Sequence, residues 1–325
     1  MRAALYRKTG PSEVLTVEEV EDPQPGRGQV RVRIVYSGVN PTDWKARSGA
    51  TGRGPETFQV PHQDGSGVID AVGEGVSERR VGERVWLYLA AAGNRYGTAA
   101  QYCVVPAERA VPLPANASDA LGASVGVPAL TAAHCLGVLG GGPGELAGKA
   151  VLVAGGAGAV AHFAIELAKR AGARVATTVS SQDKRQLAEA AGADLVVNYR
   201  EPGAIEDLRG FAPRFDRIVE LALGTNLELD LALTGPGSVI VVYAAEASDP
   251  VVPTRRLMNI NVTVHYVLLY TVPGEEVRAA ISWVSEALEA GALSELPVHR
   301  YRLEDVAAAQ DAVQGGAVGK VLVIP

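Results

Sequence analysis

Apolar and polar positions alternate singly through VRVRIVY at residues 30–36, a period of two that predicts a strand with one buried face. Apolar runs at residues 68–72 and 84–89 follow, each closed by glycines, and short strands between turns predict a β-rich, barrel-like domain up to about residue 117. Within it RSGATGRGPET, residues 47–57, is rich in glycine and reads as a mobile surface loop able to act as a lid.

The pattern changes after about residue 120. AVLV at residues 150–153 is wholly apolar, a glycine turn follows, and Val160, Phe163, Ala164, Leu167, Ala168 and Ala171 recur at spacings of three and four on one helical face. Further apolar strands are predicted at 174–179, 195–198, 217–221 and 238–243, with helical patterns such as QDKRQLAEAAGA between the early ones. Apolar strands alternating with helices require a parallel sheet covered on both faces, so the second domain is predicted to be a doubly wound α/β unit. NVTVHYVLLYTV at 261–272 is β-branched, a striped helix is predicted at 274–290, and GKVLVIP closes the chain as a strand.

The turn Gly155, Gly156, Ala157, Gly158, Ala159, Val160 lies between the apolar strand and the amphipathic helix. There, backbone N–H groups and the positive helix end suit a pyrophosphate, and a Cβ would obstruct its approach. A site for NAD usually carries an acid at the end of the next strand, roughly 20 residues on, for the ribose 2′-hydroxyl. This chain has TTVSSQDKR there, so Ser180, Ser181, Lys184 and Arg185 predict a 2′-phosphate and hence NADPH, with Asp183 read as a helix-start residue.

Composition narrows the function classes. A length of 325 residues with 47% apolar positions favours two domains. The net charge of -6 without a basic cluster argues against a nucleic-acid partner. Cys103 and Cys135 are too few for a disulfide framework or a cysteine-rich zinc lobe. No run approaches the roughly 18 to 20 apolar residues of a membrane span, and MRAALYRKTG lacks the apolar core of a signal. A cytoplasmic protein without a membrane partner is expected.

GPSEVL, SGVNPTDWKARSG, DGSGVIDAVGEGV, VGERVW, GVPALTA, the glycine turn, AGADLVVNYRE and LEDVAAAQDAVQGGAVGKVLVIP together span nearly the whole chain. As a set they resemble the medium-chain dehydrogenase/reductase superfamily, and within it the zinc-free, zeta-crystallin-like quinone oxidoreductases. The resemblance implies a GroES-like β-barrel catalytic domain over residues 1–118 and a Rossmann NADPH-binding domain over 119–258. Residues 259–325 would finish the Rossmann sheet, to about 272, and then return to the catalytic domain.

Zinc-dependent relatives ligate the metal at positions that correspond here to Asn40, Gln63 and the neighbourhood of Val127, which supply no thiolate or imidazole. His62 adjoins one of them but lacks partners and reads as a packed side chain. Without a metal to polarise an alcohol, an acceptor that is already electrophilic, a quinone or an enone, is expected. The resemblance places Asn40 beside the nicotinamide, and Gln63 is expected to orient an acceptor oxygen; a turn residue before Pro41 is the alternative for Asn40.

By the same resemblance Ser180, Lys184 and Tyr199 form the 2′-phosphate pocket, with half-buried packing the alternative for Tyr199. Leu221, Ala222, Tyr243 and Leu268 line the ribose and nicotinamide, Thr131 contacts the nicotinamide, and Lys320 approaches the cofactor. Ala159, Ala161 and His162 depart from the family pattern, and the loop after Gly49 lacks the aromatic residue many relatives carry, leaving Arg53 as a substitute phosphate contact.

The expected function is an NADPH-dependent quinone oxidoreductase. A C=C reductase of alkenals, enones or enoyl thioesters is the enzymatic alternative, with Tyr36, Tyr88, Tyr96 and Tyr270 as candidate proton donors. A low-turnover NADPH-binding structural or RNA-associated protein is the other. The apolar segment at 261–272 predicts an edge strand that pairs two copies into a homodimer. His134 and Cys135 are neighbours in sequence and read as packing, since adjacent helical residues do not face each other.

Overall fold

The computed structural model describes the chain except Arg53 and Gly141; the phosphate contact considered for Arg53 thus falls outside the described residues. In chain order the first elements are β1 (Arg2–Leu5), β2 (Thr16–Glu19), β3 (Gln29–Val39), α1 (Pro41–Ser48), β4 (Asp64–Val72), β5 (Arg84–Leu87), β6 (Tyr102–Pro106) and β7 (Ala110–Pro112). The long helix α2 (Asp119–Gly137) leads into β8 (Ala150–Val153), α3 (Ala159–Arg170), β9 (Arg174–Val179), α4 (Gln182–Ala190), β10 (Leu195–Asn198) and α5 (Ala204–Phe211). After these come β11 (Arg217–Glu220), α6 (Leu223–Leu233), β12 (Val239–Val242), α7 (Thr254–Ile260), β13 (Thr263–Tyr266) and α8 (Gly274–Glu289). The chain closes with β14 (Val298–Arg302), α9 (Val306–Gln314) and β15 (Lys320–Ile324).

These elements divide into two compact units, residues 1–127 with 295–325 and residues 128–294. The divisions fall later than the residue-118 and residue-272 positions suggested by the sequence. Ser66 Oγ, Asp64 Oδ1 and the first turns of α2 are hydrogen-bonded together, and α8 packs on α3, so each segment stays with its partners.

The first unit is built on a seven-stranded sheet in the order β14-β15-β3-β4-β5-β7, with β6 also paired to β3. The alternation predicted at residues 30–36 holds from Val30 to Ile34 and breaks at Val35 and Tyr36, where the register with β4 shifts and Ser37–Val39 are all buried; β15 joins β3 antiparallel, Val321 opposite Val39. The C-terminal strand is therefore part of this unit. The predicted loop at 47–57 needs correction at its start: Arg47 lies in α1 and is 1% exposed. Its Nη1 donates to the Gly10 carbonyl at 2.7 Å and its Nε to Gln310 Oε1 at 2.6 Å, which a charge inside a core needs.

The second unit holds a six-stranded parallel sheet in the order β10-β9-β8-β11-β12-β13. This is the doubly wound arrangement in which ligands bind beyond the carboxyl ends of the central strands. β8 and β11 are buried at every position, as continuous apolar strands predict. One face of α3 was expected to be covered, yet residues 161–168 are buried all round. The reason lies on its other side, where α8 packs and the Glu166 carboxylate accepts the Ser294 N–H at 3.0 Å, with His162 Nε2 3.0 Å from Ser294 Oγ. The unusual His162 thus fastens the end of this unit to α3.

Two further differences have local causes. β13 covers only four of the residues at 261–272, because the chain turns into a short 3-10 helix at Leu269–Thr271. α2, at 19 residues, is long and apolar enough to span a membrane, although no uninterrupted apolar run marks it; 89% of its apolar window is buried within the protein. Arg217 ends it, donating to the carbonyls of Cys135 at 3.1 Å and Val138 at 3.0 Å and also to that of Leu136, in the manner of a cationic helix C-terminus.

At the end of β11 and on α6 lie two neighbouring carboxyl groups that the sequence did not single out. Glu220, fully buried at the end of β11, accepts from Asn226 Nδ2 at 2.9 Å and from the Ala222 N–H, shaping the turn after the strand. Asp230 on α6 is equally buried, and among the described residues neither of its oxygens has a partner. Burial first, and the neighbouring Glu220 charge second, push Asp230 up to about 8. A carboxyl raised in the folded state contributes stability that is full below its unfolded value and is lost as pH rises toward 8. Asp230→Asn should therefore gain stability relative to wild type between pH 4 and pH 8, by up to about 1.4 kcal/mol per pH unit, and by a constant difference above. Urea unfolding of both proteins across this range tests it, and parallel curves would refute it.

Candidate nucleotide and acceptor sites

In the second unit the glycine turn joins β8 to α3. Gly155 has φ +69°, and its N–H reaches Thr178 Oγ1 at 3.2 Å. A Cβ at Gly156 would stand 2.3 Å from Thr177 Oγ1, so no larger residue fits against β9. Gly158 is the N-cap of α3 but supplies no side-chain cap, unlike Ser181, whose Oγ accepts the Lys184 N–H of α4 at 3.4 Å. The open N–H groups at Ala159 and Val160, with the glycines and Ala157 behind them, form the kind of cradle that takes a phosphate. Ala159 begins the helix and Ala161 is fully buried against the core.

At the ends of β9 and β10 a second polar group gathers. Lys184 Nζ donates to Ser180 Oγ at 3.2 Å, and Tyr199 is 49% exposed. Arg200, unnoticed in the sequence, joins them: its Nη1 donates to the Ser180 carbonyl at 3.4 Å and its guanidinium lies 5.8 Å from the centre of the Tyr199 ring. Only the pairing of β10 with β9 brings residue 200 to residue 180, which is why local spacing did not reveal it. Asp183 is exposed in the first turn of α4, and Arg185 turns away to the Val196 carbonyl at 2.6 Å. Leu221 and Ala222 follow β11, Leu221 touching the position a Gly155 Cβ would take at 2.8 Å. Tyr243 follows β12 and its hydroxyl is pushed upward by burial. Leu268, following β13, is 58% exposed, while Thr131 is buried in α2.

In the first unit Asn40, Asp64 and Lys320 form one buried cluster. Lys320 Nζ donates to Asn40 Oδ1 at 2.7 Å and lies 3.4 Å from Asp64 Oδ2; Asn40 Nδ2 donates to Asp64 Oδ2 at 2.6 Å. Asp64 Oδ1 accepts the Val127 N–H at 2.7 Å. Both heteroatoms of the Asn40 amide are thereby used inside the unit, and Lys320, 2% exposed, is the partner of that cluster. Asn40 also caps α1 ahead of Pro41, its N–H donating to Asp43 Oδ2 at 2.7 Å. Burial pushes the Lys320 ammonium down and the Asp64 carboxyl up, and each pulls the other back.

His62 is packed and wired. Gln310 Nε2 donates to His62 Nε2 at 3.2 Å, which puts the imidazole proton on Nδ1, 2.8 Å from Ser37 Oγ. Ser37 Oγ reaches Thr98 Oγ1 at 2.8 Å, and that hydroxyl donates to the Asp64 carbonyl at 2.5 Å. Burial, and then the Lys320 charge, hold the ring neutral by lowering it to about 3. Gln63 is half-buried; its Oε1 accepts the Ala91 N–H at 3.1 Å, and among the described residues its amide nitrogen makes no hydrogen bond. With Asp43, Tyr6, Gln59 and His62 it lines a cavity of about 220 Å³. Tyr36, Tyr88, Tyr96 and Tyr270 do not line it. Cys103 and Cys135 are buried thiols pushed up to about 12 by desolvation, so neither supplies a thiolate. Among the described residues no three His, Cys, Asp or Glu side chains converge as a metal site.

Comparison with known proteins places this geometry. Residues 26–115 match the alcohol dehydrogenase GroES-like domain family and residues 159–286 the zinc-binding dehydrogenase family. The quinone oxidoreductase of Lama guanicoe is 30% identical, over 100% of this chain and 97% of its own. A mycobacterial protein solved in complex with NADPH is 28% identical with a TM-score of 0.85, and an NAD-dependent alcohol dehydrogenase is 26% identical with a TM-score of 0.87; each covers 100% of both chains. The GroES-like and Rossmann folds expected from the sequence are thus present, and the chain belongs to the quinone oxidoreductase family of the medium-chain dehydrogenase/reductase superfamily, an enzyme of the oxidoreductase class.

Proposed function

We propose that the protein is an NADPH-dependent quinone reductase that works without zinc. The observation that carries the cofactor choice is the Ser180, Lys184 and Arg200 group at the ends of β9 and β10, where a NAD site would have an acid. Hydroxyl and cationic donors suit a dianionic 2′-phosphate. The glycine turn and the uncapped start of α3 would hold the pyrophosphate, with Leu221, Ala222, Tyr243, Leu268 and Thr131 toward the ribose and nicotinamide. When bound, the cofactor supplies a hydride equivalent. The mycobacterial NADPH complex is consistent with this reading, while the NAD-dependent alcohol dehydrogenase makes the phosphate pocket the point to test.

Zinc independence rests on donor chemistry. At the corresponding positions Asn40 offers an amide already committed to Asp64 and Lys320, Gln63 an amide, and Val127 no side-chain donor. Lys320 acts through Asn40, fixing its amide. Gln63, whose amide nitrogen makes no hydrogen bond among the described residues, suits an acceptor oxygen. Such a set binds an electrophilic small molecule but does not generate an alkoxide from an alcohol, which points to quinones or enones over alcohols.

Catalytic efficiency with NADPH should exceed that with NADH, and Lys184→Ala or Arg200→Ala should raise the KM for NADPH by about 10–100-fold, as loss of a charged hydrogen bond implies, with little change for NADH. A preference for NADH in the wild type would overturn the cofactor assignment. The acceptor is tested by product analysis with a quinone and an enone side by side: quinone turnover is expected to dominate, and faster C=C reduction would transfer the protein to the alkenal and enone reductases.

Among the described residues the edge strand β13 pairs only with β12, and with Tyr266 62% exposed in it and Leu268 58% exposed just after it, its other edge is available to a second copy. A homodimer through this edge is proposed. Light scattering at micromolar concentration should give twice the chain mass, and a monomer would reject it.

A further inference from the structure

The cavity of the first unit contains a carboxyl group with an unusual balance of partners. Asp43 is 4% exposed; its Oδ2 accepts the Asn40 N–H at 2.7 Å and the Gln63 N–H also bears on the carboxyl, whereas among the described residues Oδ1, also buried, makes no close hydrogen bond. The neighbouring Asp64 has every oxygen used, by Asn40 Nδ2, Lys320 Nζ and the Val127 N–H. One ammonium faces two carboxyls. It neutralises the one it touches, so the other is favoured as the neutral acid, and two such groups in contrasting surroundings are the pattern of an acid beside a fixed charge.

We propose that Asp43 is the proton donor of the reaction, passing the proton on Oδ1 to the oxygen of an electrophilic carbonyl acceptor held in this cavity by the Gln63 amide. The proposal rests on the reductase reading above. The acceptor gains two electrons and one hydrogen as hydride from the reduced nicotinamide. The Asp43 O–H bond breaks, an O–H bond forms on the acceptor, and the carboxylate left behind takes a proton from water. The net reaction consumes one proton for each hydride.

The other groups around the cavity are excluded by their own chemistry. His62 is neutral with both ring nitrogens engaged. Tyr6 is pushed up to about 12 by burial and then by the Asp43 charge, too weak an acid to compete. Arg47, which faces Tyr6, is committed to Gln310 and Gly10. Burial raises Asp43 itself to about 8; Asp64 adds to the rise, and the Asn40 and Gln63 N–H groups and Lys320 oppose it. An acid of that strength is loaded at neutral pH and still able to give up its proton.

Asp43→Asn keeps an oxygen for the Asn40 N–H and an N–H for the cavity but has no proton to transfer. Thermal unfolding near the wild-type temperature will show that the cap survives. In wild type, kcat/KM should be flat below pH 8 and fall about tenfold per unit above, because the acid form is the active one. The variant should be about 10²–10⁴-fold slower, without that limb. A second readout needs no turnover: in an Asp230→Asn background, which removes the other carboxyl raised to about 8, infrared difference spectra should show a protonated carboxyl band at pH 6 that fades above pH 8 and is lost when Asp43→Asn is added. A variant within threefold of wild-type rate, an unchanged pH limb or a missing band would overturn the assignment of Asp43. Absence of any wild-type turnover with quinones and enones would instead overturn the reductase reading, and the donor role with it.

Discussion

Lys320 is the constraint on which the first unit depends. It begins the last strand, is 2% exposed, and can carry its charge there only because Asn40 and Asp64 receive it. Leaving a buried charge unpaired costs about 3–5 kcal/mol, comparable to much of a protein's net stability. The ammonium therefore fixes the register of β15 on β3, the rotamer of Asn40 at the start of α1, and the ionisation of Asp64 at the start of β4. Three elements far apart in sequence meet at one nitrogen. The same nitrogen sets the character of Asp43, because a single positive charge cannot neutralise two carboxyls.

The second polar thread of that unit rigidifies without supplying chemistry. From Arg47 through Gln310, His62, Ser37 and Thr98 to the Asp64 carbonyl, each donor finds an acceptor, and the chain crosses α1, α9, β3 and β4. His62 sits at φ +78°, a conformation that costs of order 1–3 kcal/mol outside glycine and persists only where surrounding structure imposes it. Its two ring hydrogen bonds and the Thr98 N–H, which donates to its carbonyl at 3.1 Å, hold the residue on both sides. Neighbouring Gln63 and Asp43 are consequently presented from backbone that is held on several sides, as a positioned group requires.

What the sequence revealed follows the reach of its signals. The β8, glycine turn and α3 arrangement was legible because strand burial, turn and helix phase are local properties, and the absence of an acid after β9 could be read at a fixed spacing. Arg200 was not legible, since it joins Ser180 through strand pairing; nor was the burial of Arg47, whose partners lie at residues 10 and 310. Asp43 appeared as part of a family motif, and its unpaired oxygen became evident only in three dimensions. The tyrosines considered as donors share a chemical type suited to proton transfer, but chemical type carries no information about which side chains face a common cavity. His162 likewise looked anomalous beside the glycine turn until Ser294, 132 residues on, supplied its partner.

Amides at Asn40 and Gln63 alter more than metal affinity. A thiolate or imidazole ligand set prepares a site in which the metal carries the positive charge that draws electrons onto oxygen. Here the fixed charge is the Lys320 ammonium, and it is already balanced by Asp64 within hydrogen-bond distance. Little positive field remains to stabilise an alkoxide as such. Stabilisation of negative charge on an acceptor oxygen must then come from neutralising it by proton transfer, and not from holding it as an anion. An already electrophilic acceptor satisfies that condition, since its oxygen gains charge only as hydride arrives and can be protonated in the same event. An alcohol must lose its proton before it becomes a hydride donor, and a buried neutral carboxyl opposes that direction at neutral pH. Under the proposed role of Asp43, the cluster therefore suits reduction of an electrophilic acceptor better than oxidation of an alcohol.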